Sequence, residues 1–206
     1  MPRGICMIVS APSGGGKSTL IREMLQRFDN LRHSISYTTR TPRLDEGDKN
    51  DYHFIDEAAF LQMQAADEFL EWAEVHGRLY GTSRNDLDTL LAHGYDVIMD
   101  IDIQGAMQAK EQLADAVYVF VMPPSMEILE QRLRDRRSET LAALERRLSN
   151  ALQEIPWYDR YDYVVINDDL ETAIDRLRSI LIAEHLSTKR RAVHEQAMLC
   201  MKETKR

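Results

Sequence analysis

Ile5-Cys6-Met7-Ile8-Val9-Ser10, running straight into Ala11-Pro12-Ser13-Gly14-Gly15-Gly16-Lys17-Ser18-Thr19, is the stretch that decides the fold. Residues 5–10 are apolar without alternation, the pattern of a parallel strand covered on both faces. Residues 18–28 then carry Leu20, Ile21, Met24, Leu25 and Phe28 at helical spacing. Strand, Gly-rich loop and helix in this order form a phosphate cradle. The glycines let backbone N–H groups converge, the helix N-terminus favours negative charge, Lys17 reaches the outer phosphates and the Ser18 hydroxyl suits Mg²⁺. Ser13, Gly14, Gly15, Gly16, Lys17, Ser18 and Thr19 are therefore the candidate phosphate ligands. Ala11 stands where the pattern G-x4-G-K-[ST] has its first glycine, a change that a negative φ tolerates. The alternative, a plain flexible turn with a solvated lysine, is disfavoured by the strand before and the amphipathic helix after.

Working outward, apolar runs recur at 97–101, 117–122 and 163–166, followed by helical stretches at 104–113, 125–134 and 170–185, the last capped by Asp168 or Asp169. This alternation predicts an α/β fold: a three-layer parallel-sheet core with right-handed crossovers and ligands at the carboxyl ends of the strands. Two regions break the rhythm. Residues 34–82 hold short apolar segments among turn residues, which predicts a small inserted β-rich lobe with a helix near 56–66 capped by Asp56. Residues 125–155 carry Arg132, Arg134, Arg136, Arg137, Arg146 and Arg147 on two helical segments joined by a polar turn, which predicts a helical lid. The expected organisation is one unit over 1–185, with core segments 1–33, 83–124 and 156–185, and a basic tail over 186–206.

Composition agrees with a folded single unit. The 206 residues are 44% hydrophobic and 29% charged, a globular balance that excludes disorder and fibrous repeats. The longest uncharged run, 4–16, is interrupted by glycines and a proline and falls short of the roughly 18 apolar residues of a membrane span, so no membrane partner is expected. A net charge of -8 argues against a nucleic-acid partner. The first residues pass directly into a core strand without a cleavable signal pattern, which points to the cytoplasm. Cys6 and Cys200 match no metal or redox spacing and read as reduced thiols.

A second anion site separates a kinase from a hydrolase, which needs only water. Ser36-Tyr37-Thr38-Thr39-Arg40-Thr41-Pro42-Arg43 offers one: two arginines three apart, on a turn stiffened by Pro42, suit a phosphate monoester. An exposed basic loop is the alternative. Asp100 and Asp102 end a buried strand, where carboxylates need water, a cation or a ligand. Period-two counting puts them on one face, and Asp100 is assigned to the Mg²⁺ shell, through water, with Ser18.

SAPSGGGKST, SYTTRTPR, DYHF, FLEWAEVHGRLYGTS, DIDIQG, PPS and INDD occur in that order. In these motifs the chain resembles the bacterial type of guanylate kinase, over about residues 4–185. The resemblance implies transfer of the ATP γ-phosphoryl group to GMP, with dGMP open as a second acceptor, Mg²⁺ as cofactor, and a monomer or homo-oligomer. By position it implies that Arg40, Arg43, Tyr52 and Tyr80 hold the GMP phosphate, while Ser36 and Thr82 donate to guanine O6. Glu71 and Asp102 would accept from guanine N1–H and the 2-amino group. Physics supports that pairing, because guanine presents two adjacent donors where adenine presents an acceptor at N1. The resemblance further implies that Arg132, Arg136 and Arg147 are catalytic lid arginines acting with Lys17 and Arg40, and that Asn167 lies near adenine. Arg134 and Arg137 match nothing and read as salt-bridging.

Bland alternatives stay open from the residues alone. Strand alternation puts Phe69, Glu71 and Ala73 on one face against Leu70 and Trp72, and a lone strand glutamate is usually solvated. Tyr52 and Tyr80 suit a core, and the lid arginines suit a salt-bridged helix face with Glu127, Glu130 and Glu145. Asp45 and Lys49 replace glycines of the family pattern, which leaves the loop before Tyr52 in doubt without removing a ligand. Leu186, Val193, Ala197 and Met201 are spaced as a helical stripe in the tail. Two rivals share the fold: a kinase for another small phosphate acceptor, and a noncatalytic guanylate-kinase-like interaction module. The intact Lys17, Ser18 and lid arginines count against the second.

Overall fold

The computed structural model describes residues 2–42, 52–75, 77–135 and 141–190. Arg43, Arg136, Arg137, the loop positions Asp45 and Lys49, Cys200 and the tail positions Val193, Ala197 and Met201 lie outside them. The core is a parallel sheet of β1 (Cys6–Ser10), β2 (Leu31–His33), β7 (Asp96–Asp100), β8 (Val117–Met122) and β9 (Tyr163–Ile166), in the order β2-β7-β1-β8-β9. Every residue of β1 is buried, which explains its unbroken apolar run. On one face, Met7, Val9 and Val119 pack against α1 (Lys17–Arg27) and α7 (Leu170–His185) through Leu20, Met24, Ile174 and Leu177. On the other, Ile8, Met99 and Phe120 meet α3 (Arg84–Ala92) and α4 (Ile103–Gln112) through Leu87, Leu91 and Ala106. Asp169, rather than Asp168, caps α7 by accepting from Thr172 N.

Between β2 and α3 the chain builds a second, mixed sheet. It contains β3 (Ser36–Thr38), β4 (Tyr52–Phe54), β5 (Phe69–Val75) and β6 (Arg78–Ser83), ordered β4-β3-β6-β5. The helix α2 (Glu57–Ala65) starts at Asp56, whose side chain accepts from Ala59 N. After β8, α5 (Met126–Arg134) and α6 (Leu141–Glu154) enclose a small apolar core of their own, including Leu129, Leu133 and Leu144. Arg134 pairs with Glu130 one turn away, a surface ion pair.

One expectation about β5 is corrected. Its register to β6 pairs Phe69 with Ser83 and Glu71 with Thr82, so Leu70 is an extra residue in a β-bulge. The bulge breaks the expected alternation, and Phe69, Leu70 and Glu71 are buried in succession. Phe69 stacks on Phe60 of α2, whereas Leu70 joins Ile103 and Ala106 in the core beneath α4. A second correction concerns Asp102. The strand β7 ends at Asp100, so period-two counting does not extend to Asp102, which instead caps α4 by accepting from Gly105 N at 2.7 Å.

At the amino end of β7, the Asp96 carboxylate accepts from Ile5 N at 2.8 Å and sits 2.9 Å from His185 Nε2. Removing this acceptor strands a buried amide. Asp96→Ala is therefore expected to lose about 1–3 kcal/mol in denaturant unfolding. Asp96→Asn, which keeps an oxygen for Ile5 N, should lose less; equal stability of the alanine variant would show that water replaces the carboxylate.

Candidate active site

The carboxyl ends of β1, β7, β8 and β9 converge on one rim, and β1 delivers the Gly-rich loop into it. Gly14 and Gly16 have φ of 87° and 89°, a region that side chains rarely occupy. Ala11 is not among the described positive-φ residues, so the missing first glycine costs nothing there. The helix α1 begins at Gly16 without any side-chain cap, leaving its first backbone N–H groups directed at the loop. Lys17 Nζ lies 2.6 Å from Asp100 Oδ1 and 2.9 Å from Ile101 O, which fixes its charge between the loop and the end of β7. Ser18 and Thr19 are exposed at the start of the helix.

Asn167 ties three parts of the rim together. It is buried; its side chain donates to Gly15 O at 2.9 Å, its backbone N–H donates to Met122 O at 2.8 Å, and its carbonyl accepts from Arg132 Nη2 at 2.8 Å. A Cβ on Gly16 would meet the Asn167 amide at 2.3 Å, and one on Gly14 would meet Leu129 and Leu133 of α5 at 2.9 Å. The loop therefore owes its glycines to its neighbours as well as to its φ angles. Arg132 Nη1 is buried near Gly16 with no hydrogen-bond partner among the described residues. Arg147 lies on α6, less exposed than Arg146 beside it. Sequence reasoning missed Glu154, whose Oε2 accepts from Ser13 N at 2.9 Å. No local pattern flags a carboxylate that meets the loop from 141 residues away.

The second sheet gathers the other candidates. Ser36 pairs with Tyr52 across β3 and β4, Tyr52 and Tyr80 meet edge to face at 5.8 Å, and the Arg40 guanidinium lies 5.3 Å from the Tyr52 ring centroid. At the inner end of this sheet, Thr82 Oγ1 donates to Glu71 Oε1 at 2.6 Å. Glu71 is only 7% exposed, and its other oxygen faces α4 beside Asp102. Burial pushes the Glu71 carboxyl above the ordinary carboxylate value; the Thr82 hydroxyl opposes this and the Asp102 charge adds to it. The bulge at Leu70 explains how a strand glutamate comes to be buried.

Among the described residues no group of three or more His, Cys, Asp or Glu could hold a metal by itself, and no helix is long and apolar enough to cross a membrane. Asp100 and Ser18 are nevertheless hard oxygen donors at the loop. Mg²⁺ in phosphoryl-transfer sites commonly takes one or two protein oxygens with phosphates and water. The donor set fits.

A parallel sheet whose first strand feeds a phosphate-binding loop, with a mixed-sheet lobe and a helical pair above the same rim, is the architecture of a P-loop kinase. Known proteins narrow the class. The family model described as guanylate kinase matches residues 3–184. The chain is 49% identical to a guanylate kinase of Geobacter sulfurreducens, covering 91% of this chain and 92% of that one, and 49% identical to one of Nitrosomonas europaea, covering 93% and 96%. The crystal structure of guanylate kinase from Anaplasma phagocytophilum superposes with a TM-score of 0.73 at 36% identity, covering 92% of this chain and 90% of that one. The chain belongs to the guanylate kinase family.

Proposed function

We propose that the chain moves the γ-phosphoryl group of ATP to GMP, yielding ADP and GDP, in the cytoplasm. The observation that carries the choice of acceptor is Glu71, a buried carboxylate that keeps one oxygen on Thr82 and turns the other toward Asp102. Guanine brings two N–H donors to such a pair, whereas adenine brings a lone pair at N1 that a carboxylate repels. Ser36 completes the edge by donating to O6, and Thr82 joins it by turning its one hydroxyl proton from Glu71 to the base, which frees Oε1 to accept a guanine N–H. Arg40, Arg43, Tyr52 and Tyr80 hold the phosphate of GMP, which is already ionised and needs no base to act as nucleophile.

On the donor side, the backbone of residues 13–19 cradles the ATP phosphates, and Asn167 holds the loop by its Gly15 carbonyl. Ser18 and Asp100 would hold Mg²⁺, which would supply neutralisation of phosphate charge. As an oxygen of GMP bonds to the γ-phosphorus, the bond to the β,γ-bridging oxygen breaks and ADP leaves with that electron pair. Lys17, Arg40, Arg132, Arg136 and Arg147 neutralise the charge spread over the transferring group, and the lid excludes the water that would otherwise take it. The orphaned Arg132 Nη1 beside Gly16 supports this role.

A coupled assay of ADP release with ATP, Mg²⁺ and each of GMP, AMP, CMP and UMP tests the reading. GMP is expected to turn over far faster than the other three. Comparable rates with AMP would contradict it.

A further inference from the structure

Gly105 occupies the first turn of α4, where alanine is the better helix former. It is not among the glycines with positive φ, so the backbone does not demand it. Space does. A Cβ at this position would lie 2.9 Å from Glu71 Oε2, 3.5 Å from Glu71 Cδ and 3.4 Å from Asp102 Oδ1. The Glu71 carboxylate is restrained on its other side, since Oε1 accepts from Thr82 at 2.6 Å and the side chain is buried. Gly105 also donates its own N–H to Asp102 Oδ1 at 2.7 Å. One residue thus touches both carboxylates, through a missing side chain on one and an amide on the other.

We propose that Gly105 is a positioning residue for guanine selection: its bare Cα forms the seat on which the Glu71 carboxylate rests beside Asp102. The proposal depends on Glu71 being a guanine acceptor, as read above. A methyl group on Gly105 moves the carboxylate by about half an ångström before ordinary contact is reached, and a guanine N–H···O hydrogen bond of normal length altered by that much, in either direction, leaves the usual range of about 2.7–3.2 Å. The displaced atom is the far end of a flexible side chain, so folding tolerates the change. The Asp102 cap keeps its donor, because alanine retains the N–H.

The experiment compares Gly105→Ala, Glu71→Asp, Glu71→Ala and the double variant Gly105→Ala/Glu71→Asp by thermal unfolding and steady-state kinetics with both substrates. Gly105→Ala should keep or raise the melting temperature, leave KM for ATP unchanged and raise KM for GMP about tenfold, with a smaller change in kcat. Adding it to Glu71→Asp should cost nothing more, since the shorter side chain no longer reaches the methyl group. An unchanged KM for GMP in Gly105→Ala, with Glu71→Ala impaired, would overturn the seat while leaving Glu71 in the pocket. An unchanged KM for GMP in Glu71→Ala would remove the guanine reading and the proposal with it. A lowered melting temperature with equal loss toward both substrates would make Gly105 a packing residue and overturn the proposal.

Discussion

Lys17→Ala is expected to fold normally and to lose at least about 10²-fold in kcat. The magnitude is that of deleting one preorganised charge aimed at the transition state. The lysine ammonium sits 2.6 Å from Asp100 and 2.9 Å from the Ile101 carbonyl, at the point where the loop meets the end of β7. Without it, the Asp100 carboxylate and the phosphates have one cation fewer between them, which compounds the loss. Stability should change little, because Asp100 is 27% exposed in its side chain and water can take the place of the ammonium. Single-turnover kinetics beside a thermal melt check both halves. A variant with unimpaired turnover would reduce the Gly-rich loop to a turn.

Glu71→Gln should raise the GMP dissociation constant about 10- to 150-fold, the equivalent of the roughly 1.5–3 kcal/mol that a hydrogen bond to a charged group contributes. One oxygen becomes an NH₂, so a guanine donor either meets a donor or loses its charged acceptor. Affinity for an ATP analogue should stay the same, because the loop of residues 13–19 does not involve Glu71. Calorimetric titrations with each ligand decide this, and equal weakening of both would take Glu71 out of the guanine pocket. The pH dependence carries a sign of its own. Burial raises the Glu71 carboxyl above its unfolded value, so its contribution to folding is fully present below the ordinary carboxylate range and is lost as pH rises through the raised value. The glutamine variant should therefore be more stable than the parent at neutral pH, by a margin that vanishes toward about pH 4. Across the same window the parent should gain more GMP affinity with rising pH than the variant, whose gain comes from ionisation of the GMP phosphate alone.

What the sequence made legible was local. The unbroken apolar runs at 117–122 and 163–166 coincide with β8 and β9, and the run at 97–101 is displaced by one residue because the buried Asp96 begins β7 and leaves Ile101 outside it. Side-chain caps at Asp56, Ser125 and Asp169 mark helix starts that a reader of the sequence can find. The short α3 leaves little trace in the sequence: it buries only Leu87 and Leu91, too few apolar positions to stand out in a polar stretch. Distance along the chain hid the rest. The parallel pairing of β3 with β4, the reach of Glu154 to Ser13 and the approach of Glu71 to Gly105 each join segments whose own patterns say nothing of the partner. The bulge at Leu70 was invisible for another reason. Alternation assumes a regular ladder, and FLEWAEV alternates well enough to conceal the extra residue.

The fate of a labelled phosphoryl group tests the central claim most directly. With γ-labelled ATP, Mg²⁺ and GMP, the account predicts that the label appears as the β-phosphate of GDP in step with ADP formation. Replacing GMP by AMP should leave the label in ATP. Label accumulating as inorganic phosphate at a rate indifferent to GMP would contradict the account, because it would make water the acceptor.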